Sequence, residues 1–353
     1  MRYILIIISH SLAPISLMLL IGCITSCYAQ QVPLSQYFVS PVQMNPALVG
    51  SSSHPLLIIH HRSQWNSFAN NYPINIASFI YPIIREYPRR FNQGGLGITL
   101  MREVNGIEGW LTSTEIQFSG AYNLPIDFEQ RHVLSFGVAT AYRQKTIEPG
   151  KIQWGSQYDS DLGYVSSITP SVTLLNQQIG YASVQAGMVW SYNTFKNQLL
   201  NSWQWTSGIT IAQMNRPNAS FTNLERRLPI LLKWYGGASY TQYNWKINPQ
   251  LLLLKQEEKL YANIGSYVEY RVGYNERTQQ NTLLMGGIWY RWNDAVAISG
   301  GIVHRNIQVA LSVDFSQYPT FDYVSVGNAW EASIVYTIAS KRKTTKRRST
   351  PLI

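Results

Sequence analysis

The chain has 353 residues, of which only 13% are charged and a further 13% are aromatic, with 23 Tyr and 11 Trp. Soluble domains carry roughly 25% charged residues and disordered chains few aromatics, so this composition excludes a disordered polymer. The formal charge of +10 is local: with Arg2 and the tail residues Lys341, Arg342, Lys343, Lys346, Arg347 and Arg348 set aside, 21 basic residues face 18 acidic ones, which excludes a general nucleic-acid footprint.

In chain order, the first element is a leader, residues 1–29. Arg2 supplies a positive start, "YILIIISHSLAPISLMLLIG" an apolar stretch, and "CYAQQ" a small-residue cleavage site after Ala29. "LIGC" at Cys23 and "ITSC" at Cys27 are rival lipobox sequences. Cleavage after Ala29 is preferred, because an integral membrane protein needs no lipid anchor. Both cysteines then leave with the signal peptide, so disulfides, thiolate nucleophiles and Cys metal sites are excluded from the mature chain. Beyond residue 22 no apolar run is long enough for a membrane-spanning helix.

Residues 30–53 hold Pro and Gln and too little alternation for a strand, yet include Tyr37, Phe38, Met44 and Leu48. From there to 338 alternation dominates. About fourteen segments qualify: 54–63, 73–82, 94–103, 111–123, 131–143, 182–193, 204–213, 229–241, 244–255, 260–272, 281–292, 295–304, 306–315 and 329–338. In "NIQVALSVDF", Ile307, Val309, Leu311, Val313 and Phe315 lie on one side, and Gln308, Ala310, Ser312 and Asp314 on the other. "ITPSVTLLN" is weaker and reads as loop. No helical periodicity and no 20–50-residue repeat stands out, which disfavours propellers and solenoids.

A soluble β stack and a membrane barrel both use such strands. The barrel is favoured because the segments run 10 to 13 residues, against about 5–6 in soluble sheets and roughly 9–11 in tilted membrane strands. The polar set is Gly, Ser, Thr, Gln and Asn, suited to a wet or loosely plugged lumen. Tyr and Trp gather near strand ends, in "WSY", "IWYRW" and "LKWYGG", as interfacial girdles do. The expected fold is an all-β, closed, antiparallel transmembrane barrel of about 14 strands over 54–338. The segment 30–53 would act as plug or docking element, and 339–353 as a basic periplasmic tail. Both termini of an even-stranded barrel would be periplasmic.

Specific residues then carry a resemblance. "LSQYFVSPVQMNPALVGSSS" resembles the mature N-terminus of the PorP/SprF family of Bacteroidota outer-membrane proteins, through Ser35, Gln36, Tyr37, Asn45, Pro46, Ala47 and Gly50. "HHRSQWNSF" resembles that family's Arg-x-Gln-Trp element at Arg62, Gln64 and Trp65. "GGLGITL" is similar to its Gly-Leu-Gly strand, and "SGITIAQMNRPNASF" to a strand ending in a turn at Pro217, Ser220 and Phe221. "SVDFSQYPTFDYVSVGNAWEASIVYTI" resembles its last hairpin at Asp314, Gly327 and Glu331. Leu48 stands where a Tyr is common, and Trp330 where a His often precedes the Glu. The resemblance covers 30–338. It implies a 14-stranded outer-membrane barrel of the type IX secretion and gliding machinery, which assists export or surface anchoring of cargo. The implied partners are a secreted surface protein or adhesin with a type B C-terminal domain and periplasmic components of the machine. Outer-membrane lipid surrounds the barrel, and nucleic acid is not a partner.

The candidate plug or partner contacts are therefore Ser35, Gln36, Tyr37, Asn45, Pro46, Ala47, Gly50, Arg62, Gln64 and Trp65; the alternative is a flexible leader to the first strand. A candidate lumen network comprises Glu115, Lys233, Glu269, Arg271, Asp314 and Glu331, with Lys246 on the same side. Facing carboxylates and cations are expected to brace the barrel rather than catalyse. His60 and His61 point to opposite sides of a strand and lack an acidic cluster, so no metal site is expected, and their plainest role is a strand end at the membrane interface. His132 and His304 have nothing diagnostic beside them. "GGLG" at 94–97 starts a strand without a following helix, which argues for tight packing rather than a nucleotide loop. No catalytic residue, cofactor or metal is expected. The alternatives are a passive porin or solute channel, separable by its conductance, and an outer-membrane enzyme, separable by replacing His132, His304 and the lumen carboxylates.

Overall fold

The computed structural model describes residues 34–64, 72–85, 91–106, 109–170, 177–193, 202–222, 225–275, 280–316 and 329–339. The leader, Trp65, Gly327 and the tail beyond 339 lie outside them. The architecture belongs to the unit Ser35–Ile353.

Fourteen strands form one closed barrel: β1 Leu56–Gln64, β2 Tyr72–Arg85, β3 Phe91–Asn105, β4 Leu111–Pro125, β5 His132–Ile147, β6 Gln178–Asn193, β7 Ser202–Ala212, β8 Leu231–Gln242, β9 Trp245–Gln256, β10 Lys259–Asn275, β11 Gln280–Arg291, β12 Ala295–His304, β13 Ile307–Ser316 and β14 Ala329–Thr337. Each pairs antiparallel with its sequence neighbours. β14 returns to β1 with Leu56 opposite Thr337 and Arg62 opposite Glu331, which leaves no open edge. All fourteen segments expected from alternation are strands, running from 9 to 17 residues. A two-residue ladder, Tyr158–Asp159 with Gly163–Tyr164, stands apart from the barrel.

The rim holding Leu56 and Thr337 is called the first rim, and the rim holding Gln64 and Ala329 the second. Two-residue turns Tyr243–Asn244 and Arg305–Asn306 close hairpins at the first rim. The connections 148–177 and 213–230 lie at the second. At the first-rim turn between β4 and β5, the Asp127 carboxylate accepts the backbone N–H of His132 at 2.6 Å and of Arg131 at 3.0 Å. These bonds hold its pKa below the ordinary carboxylate value, led by the one from His132.

The period-two pattern sorts side chains between the two faces. Val138 is 64% exposed and Leu311 57%, while Ser312 and Asp314 each keep 2%. Apolar side chains thus coat the outside, and polar ones fill the inside. Among the described residues no helix is long and apolar enough to cross a membrane. A closed barrel satisfies every backbone group in hydrocarbon. Leu311→Arg, at the middle of β13, should therefore cost about 2–4 kcal/mol of folding into a bilayer. Gln308→Lys, on the inner face of the same strand, should change little. Equilibrium refolding into vesicles measures both.

The aromatic residues divide by parity. His132, Trp190 and Tyr192 stack on the outside near the first rim, as do Trp203 and Trp205, while Tyr240 is tilted against Trp203 and Tyr270 against Trp245. Trp289 is a correction to the girdle reading of "IWYRW". Ile288 is 62% exposed, so its neighbour Trp289 points inward and is fully buried.

Residues 35–50 lie against the inner wall as three short turns: Tyr37–Val39, Pro41–Met44 and Pro46–Gly50. Each proline sits at the first position of its turn, where its fixed φ suits helix and its missing N–H is not needed. Asn45 is extended, as a residue before proline must be, and its side chain accepts the Ala47 N–H at 2.9 Å as an N-cap. Val39, Val42 and Val49 pack on Ile58 and Ile80 of the wall to form a small apolar core.

Candidate functional site

Parity places Arg62, Asp314, Glu331 and Arg291 on the inner face, each within two residues of the second-rim end of its strand. Register brings them together: Arg62 opposes Glu331, and Glu331 opposes Ser312, two residues from Asp314. Arg62 Nη1 donates to Asp314 Oδ2 at 2.9 Å and to Glu331 Oε1, and Nη2 donates to Gln64 Oε1 at 3.3 Å. Arg291 Nη1 donates to the same Asp314 oxygen at 2.9 Å, and its Nε lies 2.8 Å from Asp294. The side chains of Arg62, Asp314, Glu331 and Arg291 are between 0 and 5% exposed, so two guanidiniums and two carboxylates balance away from bulk water.

The start of the N-terminal segment completes this cluster. Glu331 accepts the backbone N–H of Ser35 at 2.7 Å and of Gln36 at 2.8 Å, one on each oxygen. Ser35 Oγ donates to Asp314 at 2.8 Å and accepts from Arg291 at 2.9 Å. Gln36 Nε2 donates to the Glu331 backbone carbonyl at 3.3 Å, and Gln36 Oε1 accepts from Ser333 at 2.7 Å. His60 bridges wall and segment, with Nε2 3.2 Å from Glu331 Oε2 and Nδ1 3.0 Å from Ser40 Oγ. The strand-end interface reading of His60 is thereby corrected. It shares parity with Arg62 and is 1% exposed, while His61 faces out beside Asn75 and Trp330.

Further along, the segment fits notches in the wall. Asn45 Nδ2 donates to the carbonyls of Met188 and Ile209 at 3.1 and 3.0 Å. Thr210 Oγ1 donates to Met44 O at 3.0 Å, and Lys233 Nζ to Gln43 O at 2.6 Å. A Cβ on Gly187 would fall 2.1 Å from Asn45 Oδ1, one on Gly137 2.1 Å from Ala47 N, and one on Gly95 2.2 Å from Val49 O. Asn92 and Asn123 each donate to Gly50 O at 2.7 Å, near the first rim. Phe38 stacks on Tyr267 and Trp289 with centroids 4.9 and 5.1 Å apart, and Tyr37 meets Trp289 edge-on at 5.4 Å. The barrel's own ends, Leu56 and Thr337, share the first rim, whereas Ser35 is held near the second. Residues 35–55 therefore run the length of the lumen.

Of the residues singled out in sequence, Ser35, Gln36, Tyr37, Asn45, Pro46, Ala47, Gly50, Arg62 and Gln64 are all buried on this inner surface. Trp65 lies outside the described residues. The six-residue lumen network is not one network. Asp314 and Glu331 join Arg62 and Arg291; Glu115 pairs with Arg143 at 2.7 Å; Glu269 pairs with Lys246 at 3.6 Å. Lys233 caps the segment backbone, and Arg271 has no ion pair among the described residues. Shared parity puts all six inside, and strand order and stagger decide which of them meet. Sequence reading missed Arg291, His60, Arg143, Asn92, Asn123, Gly137 and Gly187. Their signal was inward parity, which needs exact strand phase. Among the described residues, no group of three His, Cys, Asp or Glu side chains is placed to hold a metal. Most polar groups of the cluster bond the segment or one another, while Arg62 Nε and Asp314 Oδ1 are buried with no hydrogen-bond partner among the described residues.

A family model described as "Type IX secretion system membrane protein PorP/SprF" matches residues 26–336. Similar solved structures include a Pseudomonas aeruginosa FadL homologue, at 9% identity and a TM-score of 0.45, covering 85% of this chain and 94% of that one. The Pseudomonas putida toluene transporter TodX is similar at 8% identity and a TM-score of 0.43, covering 84% and 93%. CdiB from Acinetobacter baumannii is similar at 8% identity and 0.41, covering 81% of this chain and 60% of CdiB. No curated protein matches the sequence.

Proposed function

The chain belongs to the PorP/SprF family of type IX secretion system membrane proteins, and from that membership we propose that it is a non-enzymatic outer-membrane barrel. It assists export or surface anchoring of secreted proteins, among them adhesins bearing a type B C-terminal domain, and works with periplasmic components of the machine. Residues 35–50 plug its lumen. The observation that carries this reading is the bonding of that segment to β1, β3, β4, β6, β7, β8, β11, β13 and β14, which occupies the interior a solute channel would need open. The two longest connections, 148–177 and 213–230, lie at the second rim and support an extracellular second rim and a periplasmic first rim, where the basic tail follows β14. Outer-membrane lipid covers the apolar outer face.

Affinity isolation of the barrel from native outer membrane, followed by mass spectrometry, tests the role. Recovery of a large secreted surface protein with a type B terminal domain is expected. Repeated recovery of the barrel alone would favour a passive channel.

A further inference from the structure

Two cavities adjoin in the half of the lumen nearest the first rim. The larger, about 390 Å³, lies between the N-terminal segment and the inner faces of β6 to β10. The smaller, about 210 Å³, reaches the Tyr243–Asn244 turn at the rim. Gln204 and Lys246 line both, so the two form one vestibule. Its inner floor is apolar and comes from the segment itself, through Phe38, Met44 and Leu48. Its wall offers amide side chains, Asn248 and Gln250. Asn248 Nδ2 donates to Tyr267 O and Glu269 Oε1 at 3.5 Å, the long limit of a hydrogen bond, so a closer acceptor on a ligand would displace them. At the mouth, Lys246 and Arg271 face a single carboxylate, Glu269. Lys246 lies 3.6 Å from it, and Arg271 Nε is buried with no hydrogen-bond partner among the described residues.

We propose that this vestibule binds the carboxyl end of a polypeptide. The terminal carboxylate pairs with Lys246 and Arg271, the last apolar side chain rests on the Phe38–Met44–Leu48 floor, and the amide wall bonds the peptide backbone. A fatty acid shares the carboxylate and the apolar tail, but it would press hydrocarbon against the amide side chains of Gln204, Asn248 and Gln250, shutting them off from water with no backbone groups in exchange. The choice of polypeptide rests on the export reading; the cationic mouth and apolar floor do not. Because one wall of the site is the segment, the ligand binds only while residues 35–50 are in place.

Calorimetric titration of the full chain in detergent with Ala-Ala-Phe as free acid, its C-terminal amide, and decanoate tests the site. The free acid should bind saturably, the amide about tenfold more weakly, and decanoate more weakly than the free acid. Lys246→Met and Arg271→Met should each weaken the free acid about tenfold. Glu269→Gln, which removes the competing carboxylate, should tighten it, and Lys255→Met on the outer face should leave it unchanged. Unboiled gel mobility reports folding of each variant. Equal binding of acid and amide, indifference to Lys246→Met, tighter binding of decanoate, or no saturable binding would overturn the proposal. Cargo recovery from native membrane is a separate measurement, so either reading can fail alone.

Discussion

Glu331→Ala should release residues 35–50 from the wall while the barrel stays closed. The carboxylate takes donors from Arg62, His60 and the backbone N–H groups of Ser35 and Gln36. Truncating it leaves a fully buried guanidinium with Asp314 as its remaining carboxylate, which Arg291 already shares. Breaking a buried pair from one side costs about 3–5 kcal/mol. That cost falls on seating of the segment, because the strand ladder of β1 and β14 bonds through backbone and does not need the side chain. Limited proteolysis in detergent should then cut within 35–50 of the variant but not of the native chain, with unboiled gel mobility unchanged. Glu331→Gln keeps acceptor capacity without the charge and should be intermediate. Equal protection of the segment in native and Ala forms would show that the cluster does not hold it.

A single methyl group at the opposite wall should have a comparable effect through sterics alone. Gly137→Ala would place a Cβ 2.1 Å from Ala47 N and 2.4 Å from the Pro46 carbonyl carbon, both backbone atoms that cannot swing aside. The segment must move or β5 must bend, and β5 is fixed by full ladders to β4 and β6. Segment exposure to protease should rise as with Glu331→Ala. Gly286→Ala is the control, since nothing lies within 4 Å of its Cβ position, and it should be silent. If Gly137→Ala leaves the segment as protected as in the native chain, the close fit around Asn45–Ala47 is not what seats it.

The wall of this molecule was legible because one rule generates it. Period-two alternation fixes strand number, phase and the outward set, so Leu311 out and Asp314 in follow from "NIQVALSVDF" alone. The lumen obeys no such period. Parity put Glu115, Lys233, Glu269, Arg271, Asp314 and Glu331 inside, yet which of them meet depends on circumference and strand stagger, and these arise only on closure. Arg62 was legible through its sequence context, whereas its partner Arg291 ends a strand and carried no local mark. Trp289 was misassigned because aromatics near strand ends serve both the girdle and the lumen, and only the phase set by Ile288 separates the two. The glycines at 95, 137 and 187 have no side-chain signal; their meaning lies in the backbone that approaches them. The 35–50 turns were partly legible, since Pro41, Asn45 and Pro46 dictate where helix starts.

Occupancy of the lumen by residues 35–50 is tested most directly by single-channel recording of the purified native chain in planar bilayers, beside the Glu331→Ala form. The native barrel should carry no steady current, and the variant should show long openings. Large, stable currents through the native protein in the absence of any partner would contradict a lumen closed by its own N-terminal segment.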